Sequence, residues 1–402
     1  MKDNINVNKT VDDKKSLNSD DSVNFGKKFD KKNKNKNQID VIEPISFEFV
    51  QKVDLANYYD NNYNSRCKII HELSNEKLGI LFDDKLIVIS TKTFKEIKII
   101  KPSYDELNSN REISENKFVD FKELKNSGIV LWTSNVILFY DVEYNLFQRV
   151  DETVHGDLCQ RLEYDYGPVF YYDINSIYEL NDGKLVSCNS YGLKFYEKNK
   201  DKYLLISTEK MEIDVHFVIE IKPNLLILLQ KHYDESFGDM KGDDNFLISI
   251  YDIENKSLKK IFESQVESML GEFQKVNYIM SNKYLFMCYG KAMGIFDLEK
   301  NMQMINIEND NIYEYERVFG IHQKIMREEK RITKVLANYS DTLFFGIDKT
   351  GLKMFMFKNN TLKVYYNFFI NNIVGVNILK NNDFIFYSYD CQLYRFTPIF
   401  SK

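Results

Sequence analysis

Tryptophan occurs once in this chain, at Trp132, and proline and histidine occur only five times each. So few prolines exclude a Pro-rich linker or polyproline segment. The histidines, His71, His155, His216, His232 and His322, never fall at HExxH or HxH spacing, and neither a GxSxG elbow nor a P-loop is written. The cysteines, Cys67, Cys159, Cys188, Cys288 and Cys391, are odd in number and form no CxxC pair. That pattern suits reduced core thiols in a cytoplasmic or nuclear protein better than a disulfide framework. No apolar run approaches the roughly 20 residues of a membrane-spanning helix. The longest, Leu225 to Leu229, is strand length, so no membrane span is expected. There is no basic excess either: 54 Lys and Arg face 60 Asp and Glu, for a net charge of −6. No nucleic-acid partner is expected from that balance. Met1-Lys2-Asp3-Asn4 opens no apolar secretory stretch, which agrees with a cytoplasmic location and leaves a nuclear one open.

What the chain has in quantity is aromatic: 27 Tyr and 30 Phe, residues that suit pleated, half-buried surfaces. They recur in a repeating unit of four short apolar strands separated by polar turns. The clearest copy spans 174–207. Ile174 to Leu180 precedes the turn Asn181-Asp182-Gly183-Lys184, then come Leu185 to Cys188, Leu193 to Tyr196 and Tyr203 to Ile206. Units are read at 68–100, 118–150, 174–206, 217–262, 276–307, 332–366 and 374–396. Four strands at this period predict an all-β fold, a seven-bladed β-propeller of four-stranded blades. The last unit supplies only three strands. Ile45 to Val50 alternates apolar and polar residues ahead of the first unit, and is expected to close the ring as the missing fourth strand. Residues 1–40 are Asn, Asp, Lys and Ser with almost no large apolar side chain, and read as a disordered polar tail. The propeller is placed at 41–402.

Four units end their third strand on an aromatic-then-acid pair: Phe139-Tyr140-Asp141, Phe195-Tyr196-Glu197, Ile250-Tyr251-Asp252 and Ile295-Phe296-Asp297. Together with Ile174-x-x-Ile177-x-x-Leu180-Asn-Asp-Gly-Lys-Leu185-Val-Ser-Cys, these make the chain resemble a divergent WD-repeat propeller from about Ile45 to Pro398. The pairs stand where that family places Trp-Asp. The chain departs from the family in lacking its Gly-His pair and in carrying its one tryptophan in a different strand. Blade packing is therefore expected to lean on Phe, Tyr, Leu and Ile. The resemblance implies a rigid platform for protein or peptide partners, usually without catalysis. A monomer or a subunit of a complex, with no cofactor, is expected.

Two groups of residues are candidates for function. Glu72, Glu123, Glu179 and Glu220 each stand second from the end of a first strand. Facing the central channel, they form an acidic cluster able to recruit a cation or a basic peptide, which carries the alternative of a metal-dependent hydrolase or isomerase. Facing a turn, they accept backbone N–H bonds instead. The second group lies in the acidic, aromatic stretch 163–173: Glu163, Tyr164, Asp165, Tyr166, Tyr171 and Tyr172. Tyrosines beside carboxylates fit a basic peptide through burial, cation–π and ionic contacts. Glu308 to Glu316 has the same character and is read as an insertion between blades. Gln323 to Arg331 is read as a solvated connection.

Overall fold

Each unit folds as its alternation requires. In blade three, Ser176–Glu179, Leu185–Asn189, Gly192–Asn199 and Lys202–Lys210 form an antiparallel meander. Ile177 stands opposite Ser187, and Val186 opposite Phe195. The computed structural model describes residues 44, 46–55, 58, 67–103, 117–152, 174–189, 192–211, 213–233, 244–266, 277–289, 292–300, 302–305, 307, 313–318, 321–326, 332–370 and 372–400. Within them lie seven four-stranded antiparallel sheets, the blades of a propeller. First strands lie innermost and fourth strands form the outer rim. Second and third strands are covered on both faces, as in blade two, where Ile129–Thr133 and Val136–Tyr140 are buried throughout. Burial on both faces is why such strands read as unbroken apolar runs. On the rim, only Ile100 of Glu96–Ile100 is buried.

Neighbouring blades pack face to face through seven hydrophobic clusters, one at each junction. Leu81 and Val88 of blade one meet Phe121 and Leu131 of blade two. Leu379, Ile385 and Leu393 of blade seven meet Ile70, Ile80 and Ile87 of blade one. An open row of seven blades has only six junctions, so this last cluster makes the row a ring.

The ring closes through the N-terminal strand. Ser46–Asp54 pairs antiparallel with Gln392–Ile399, from Ser46 opposite Ile399 to Asp54 opposite Gln392, with a bulge between Phe49 and Gln51. The expected closing strand is present, and it runs four residues beyond Val50. Phe47 anchors it, its ring centroid 4.7 Å from that of Tyr366, 5.0 Å from Phe368 and 5.4 Å from Phe384. The Tyr365 hydroxyl donates to the Pro44 carbonyl at 2.6 Å.

The aromatic-then-acid pairs have a local cause. Asp141, Asp252 and Asp297 each accept two backbone N–H bonds from the turn that follows, at 2.8 to 3.1 Å. The acid holds the turn between third and fourth strands while the aromatic before it packs between blades. Those N–H bonds hold the carboxyls of Asp141 and Asp252 below the ordinary aspartate value.

Three details differ from the sequence reading. Blade four is longer than expected, its strands running Asp214–Lys222, Leu225–Tyr233, Asp244–Asp252 and Ser257–Val266. The fourth strand of blade five is only Gln303–Met304, although the Ile305 N–H still donates to the Ile295 carbonyl. Between blades five and six, Tyr313–Val318 pairs with Ile321–Met326 as a separate hairpin. The stretches read as an insertion and a solvated connection thus contribute strands. The alternation of Tyr313, Tyr315 and Arg317 with Glu314 and Glu316 is strand-like, but its charge masks the apolar pattern.

Phe47→Ala is expected to lower unfolding free energy by about 2 to 4 kcal/mol, whereas removing residues 1–40 leaves it unchanged. Urea unfolding followed by tryptophan fluorescence of buried Trp132 measures both.

Candidate functional site

In a meander, the first backbone N–H of the turn between first and second strands lies outside the ladder and needs an acceptor. The four glutamates supply it across blades. Glu123 of blade two accepts from the Ser74 N–H of blade one at 2.9 and 2.7 Å and from its hydroxyl at 2.5 Å. Glu179 of blade three accepts from Lys125 N–H at 2.8 Å, and Glu220 of blade four from Asn181 N–H at 2.5 Å. Glu72 of blade one accepts from Lys380 N–H of blade seven at 3.2 and 3.0 Å. In every case the side chain reaches back to the preceding blade. Asp341 of blade six does the same for Asn282 N–H of blade five, at 3.0 Å. The geometry is that of the turn-facing alternative. Each glutamate engages its own junction, and among the described residues no three His, Cys, Asp or Glu side chains group as metal ligands.

Burial raises the carboxyls of Glu72 and Glu179 above the ordinary glutamate value, outweighing the backbone N–H bonds that pull them down. A raised folded-state value means that these groups favour the fold most at low pH. Their contribution is lost as pH rises through the folded value.

A second set of bonds runs in the opposite direction. Channel-side carbonyls of the innermost strands are sheet-edge groups and also need partners. Lys334 Nζ of blade six donates to the Val374 carbonyl of blade seven at 2.6 Å. Asn377 Nδ2 of blade seven donates to the Ile70 carbonyl of blade one at 3.1 Å. Lys68 Nζ of blade one donates to the Phe118 carbonyl of blade two at 2.7 Å. Asn175 Nδ2 of blade three donates to the Val215 carbonyl of blade four at 3.0 Å. Sequence reasoning missed these donors, because neither residue type nor spacing is constant among them.

The two ends of the ring differ. Turns from first to second and from third to fourth strands are short, none exceeding the five positions of 180–184. Connections from second to third and from fourth to first strands emerge at the opposite face. Several of those are long: 101–117, 152–175, 234–243, 267–276, and 305–331 with its hairpin. Glu163, Tyr164, Asp165, Tyr166, Tyr171 and Tyr172 lie outside the described residues, in the connection 152–175.

Glu152, at the start of that connection, is a site residue the sequence reading missed. Its buried carboxylate accepts from Tyr196 Oη at 2.6 Å, from Asn189 Nδ2 at 3.3 Å and from Ser187 Oγ, with Lys194 Nζ at 3.2 Å. It comes from the end of blade two, and its partners all belong to blade three. This network ties the junction with polar bonds in a chain that lacks the Gly-His pair. Burial and the Glu152 charge push the Tyr196 phenol up. The four described cysteines are free and buried, and burial pushes Cys188 and Cys288 up to about 12.

Two outcomes are expected from substitution here. Glu152→Ala strands Lys194 against buried polar groups and costs about 3 kcal/mol in denaturant unfolding. Glu179→Gln keeps an acceptor for Lys125 N–H and sheds the cost of burying charge. Its stability relative to the parent protein therefore rises with pH through the carboxylate range, while Glu179→Ala loses about 1 kcal/mol at neutral pH. Unfolding midpoints between pH 4 and 8 test the sign.

No family model matches the chain, and no curated protein matches it in sequence. Solved structures match it in shape. The Neurospora crassa Pan2 WD40 domain aligns with a TM-score of 0.58 at 10% identity, over 89% of this chain and 98% of that one. A chain of a Mitotic Checkpoint Complex crystal structure aligns with a TM-score of 0.56 at 9% identity, over 89% and 95%. At such identities the likeness is one of fold, and the fold of this chain is a WD-repeat-like seven-bladed propeller.

Proposed function

We propose that the protein is a non-catalytic interaction scaffold or adaptor, which binds a protein or peptide partner on the face from which the long connections leave. The observation that carries this reading is the asymmetry of the ring: one end has only short turns, and the other carries the long connections. Long connections over a rigid scaffold are where binding residues concentrate. Glu163, Tyr164, Asp165, Tyr166, Tyr171 and Tyr172 belong to one of those connections, 152–175, and their chemistry suits a basic segment of the partner. The engagement of Glu72, Glu123, Glu179 and Glu220 with backbone N–H groups favours this reading over a channel metal site. One of the similar structures comes from a multi-protein checkpoint complex, which agrees with partner binding. No described helix is long and apolar enough to cross a membrane.

The test compares intact protein with two variants by affinity capture from the native cell and mass spectrometry. One variant replaces the six candidate residues with alanine. The other replaces Asp182 and Lys184 on the short-turn face. A stoichiometric partner lost only from the first supports the reading, with thermal stability unchanged in both. A partner kept by the first variant overturns it.

A further inference from the structure

A lysine held by an oxygen is a poor nucleophile, because the bond favours the ammonium and occupies the nitrogen. Several half-buried lysines are held in this way. Lys68 pairs with Asp83, Lys194 with Glu152 and Lys353 with Asp348, and Lys334 donates to the Val374 carbonyl. Lys122, on the first strand of blade two, is not. Among the described residues its Nζ has no hydrogen bond and no ion pair. Its direct partner is the ring of Tyr178, on the first strand of blade three, with the centroid at 5.0 Å.

The nearby carboxylates are turned elsewhere. Glu123, next in the chain, reaches back to Ser74. Glu179, next to Tyr178, accepts from Lys125 N–H, and Glu220 accepts from Asn181 N–H. Asp120 lies on the same strand as Lys122, with its carboxylate 3.5 Å from His71 Nε2. It acts through space on Lys122, and also on Tyr278 of blade five and Tyr387 of blade seven. Its carboxylate therefore faces the channel, and the channel is narrow at this level. Burial pulls the Lys122 ammonium below the ordinary lysine value, outweighing Asp120 and Cys188 of blade three, which push it up. The Tyr178 ring replaces part of the lost hydration of the ammonium, but it leaves the nitrogen lone pair free once the proton has gone. Desolvation of this kind is how a lysine becomes a nucleophile near neutral pH.

We propose that Lys122 is an acylation site on the wall of the central channel, which takes a small acyl group from an acyl phosphate. The neutral Nζ attacks the acyl carbon. A C–N bond forms, the bond from that carbon to the bridging oxygen breaks, and its electron pair leaves with the phosphate. The proton shed by the nitrogen passes to solvent. The narrow channel restricts the donor to a small one. The resulting amide carries no charge, so the cost of enclosing an ammonium disappears, and Asp120 loses the positive charge beside it. The inference is independent of the partner-binding face, because it needs none of the long connections.

The test incubates the full chain with acetyl phosphate at neutral and at alkaline pH and follows acetylation of each lysine by peptide mass spectrometry. The quantity read is the ratio of the neutral rate to the alkaline rate, in which restricted access cancels. The ratio at Lys122 is expected to be several-fold higher than at Lys202 and Lys259, which are exposed. Asp120→Asn removes the carboxylate that favours the ammonium and keeps an oxygen for His71. It is expected to raise the Lys122 ratio further and to leave the Lys202 ratio unchanged. A Lys122 ratio equal to that of the exposed lysines overturns the proposal, as does the absence of acetylation at Lys122 at both pH values. An unchanged ratio in folded Asp120→Asn overturns it too. If that variant fails to fold, the ratio in the parent protein decides by itself.

Discussion

Each blade is a separate sheet, and among the described residues no hydrogen-bonded ladder runs from one blade to the next. The one ladder that joins distant parts of the chain is Ser46–Asp54 on Gln392–Ile399, and the ring depends on it. Without that strand, blade seven has three strands and an open edge. The pairing joins residues at least 338 positions apart in sequence, the separation of Asp54 and Gln392. Chain entropy penalises such separation only weakly. Relative to a loop of about 30 residues, the extra closure cost is about 2 kcal/mol. The burial of Phe47 among Tyr366, Phe368 and Phe384 is of the size needed to offset it.

Within the ring, apolar packing supplies the strength and polar bonds set the alignment of blades. Carboxylates fix the turns at five junctions: seven–one, one–two, two–three, three–four and five–six. At the other two, the strand position of the glutamates is taken by Met280, opposite Leu285, and Ile378, opposite Phe384. Aromatic contacts are prominent there. Phe217 and Tyr278 lie 3.7 Å apart between blades four and five. Phe345, Phe368, Phe384 and Phe386 pack as a group between six and seven. A net hydrogen bond is worth about 1 kcal/mol, and an aromatic pair about 0.5 to 1.5 beyond its buried area. The two devices are therefore of similar size, and a junction can use either.

Much of the fold was legible because period and alternation are properties of the whole chain. Seven apolar meanders and a stray alternating segment at Ile45 to Val50 lead to a closed ring without any single decisive residue. The glutamates were legible as a pattern, but their direction was not. A one-residue change of register moves a strand side chain to the other face, and only the structure shows Glu179 meeting Lys125 of the preceding blade. Glu152 was invisible for a different reason. Its partners Ser187, Asn189, Lys194 and Tyr196 lie in the next blade, 35 to 44 positions on for the three that hydrogen-bond to it, and nothing local distinguishes it from a surface glutamate. The hairpin of Tyr313–Val318 and Ile321–Met326 was hidden because charge and strand alternation coincide in it.

The same bonds explain why the two faces of the ring differ. On the short-turn face, the first N–H of a first-to-second turn is often the ligand of a neighbour's carboxylate, as Ser74, Lys125 and Asn181 are. Lengthening such a turn moves that N–H and breaks a junction, so these turns stay short. On the opposite face, described bonds stand at both ends of one long connection. Glu152 secures the start of 152–175, and the Ile174 N–H bonds to the Ser134 carbonyl at its close. Chain can therefore be inserted between such anchors without disturbing the ring. Freedom to vary on one face follows from the constraint on the other, and that freedom is what a binding surface requires.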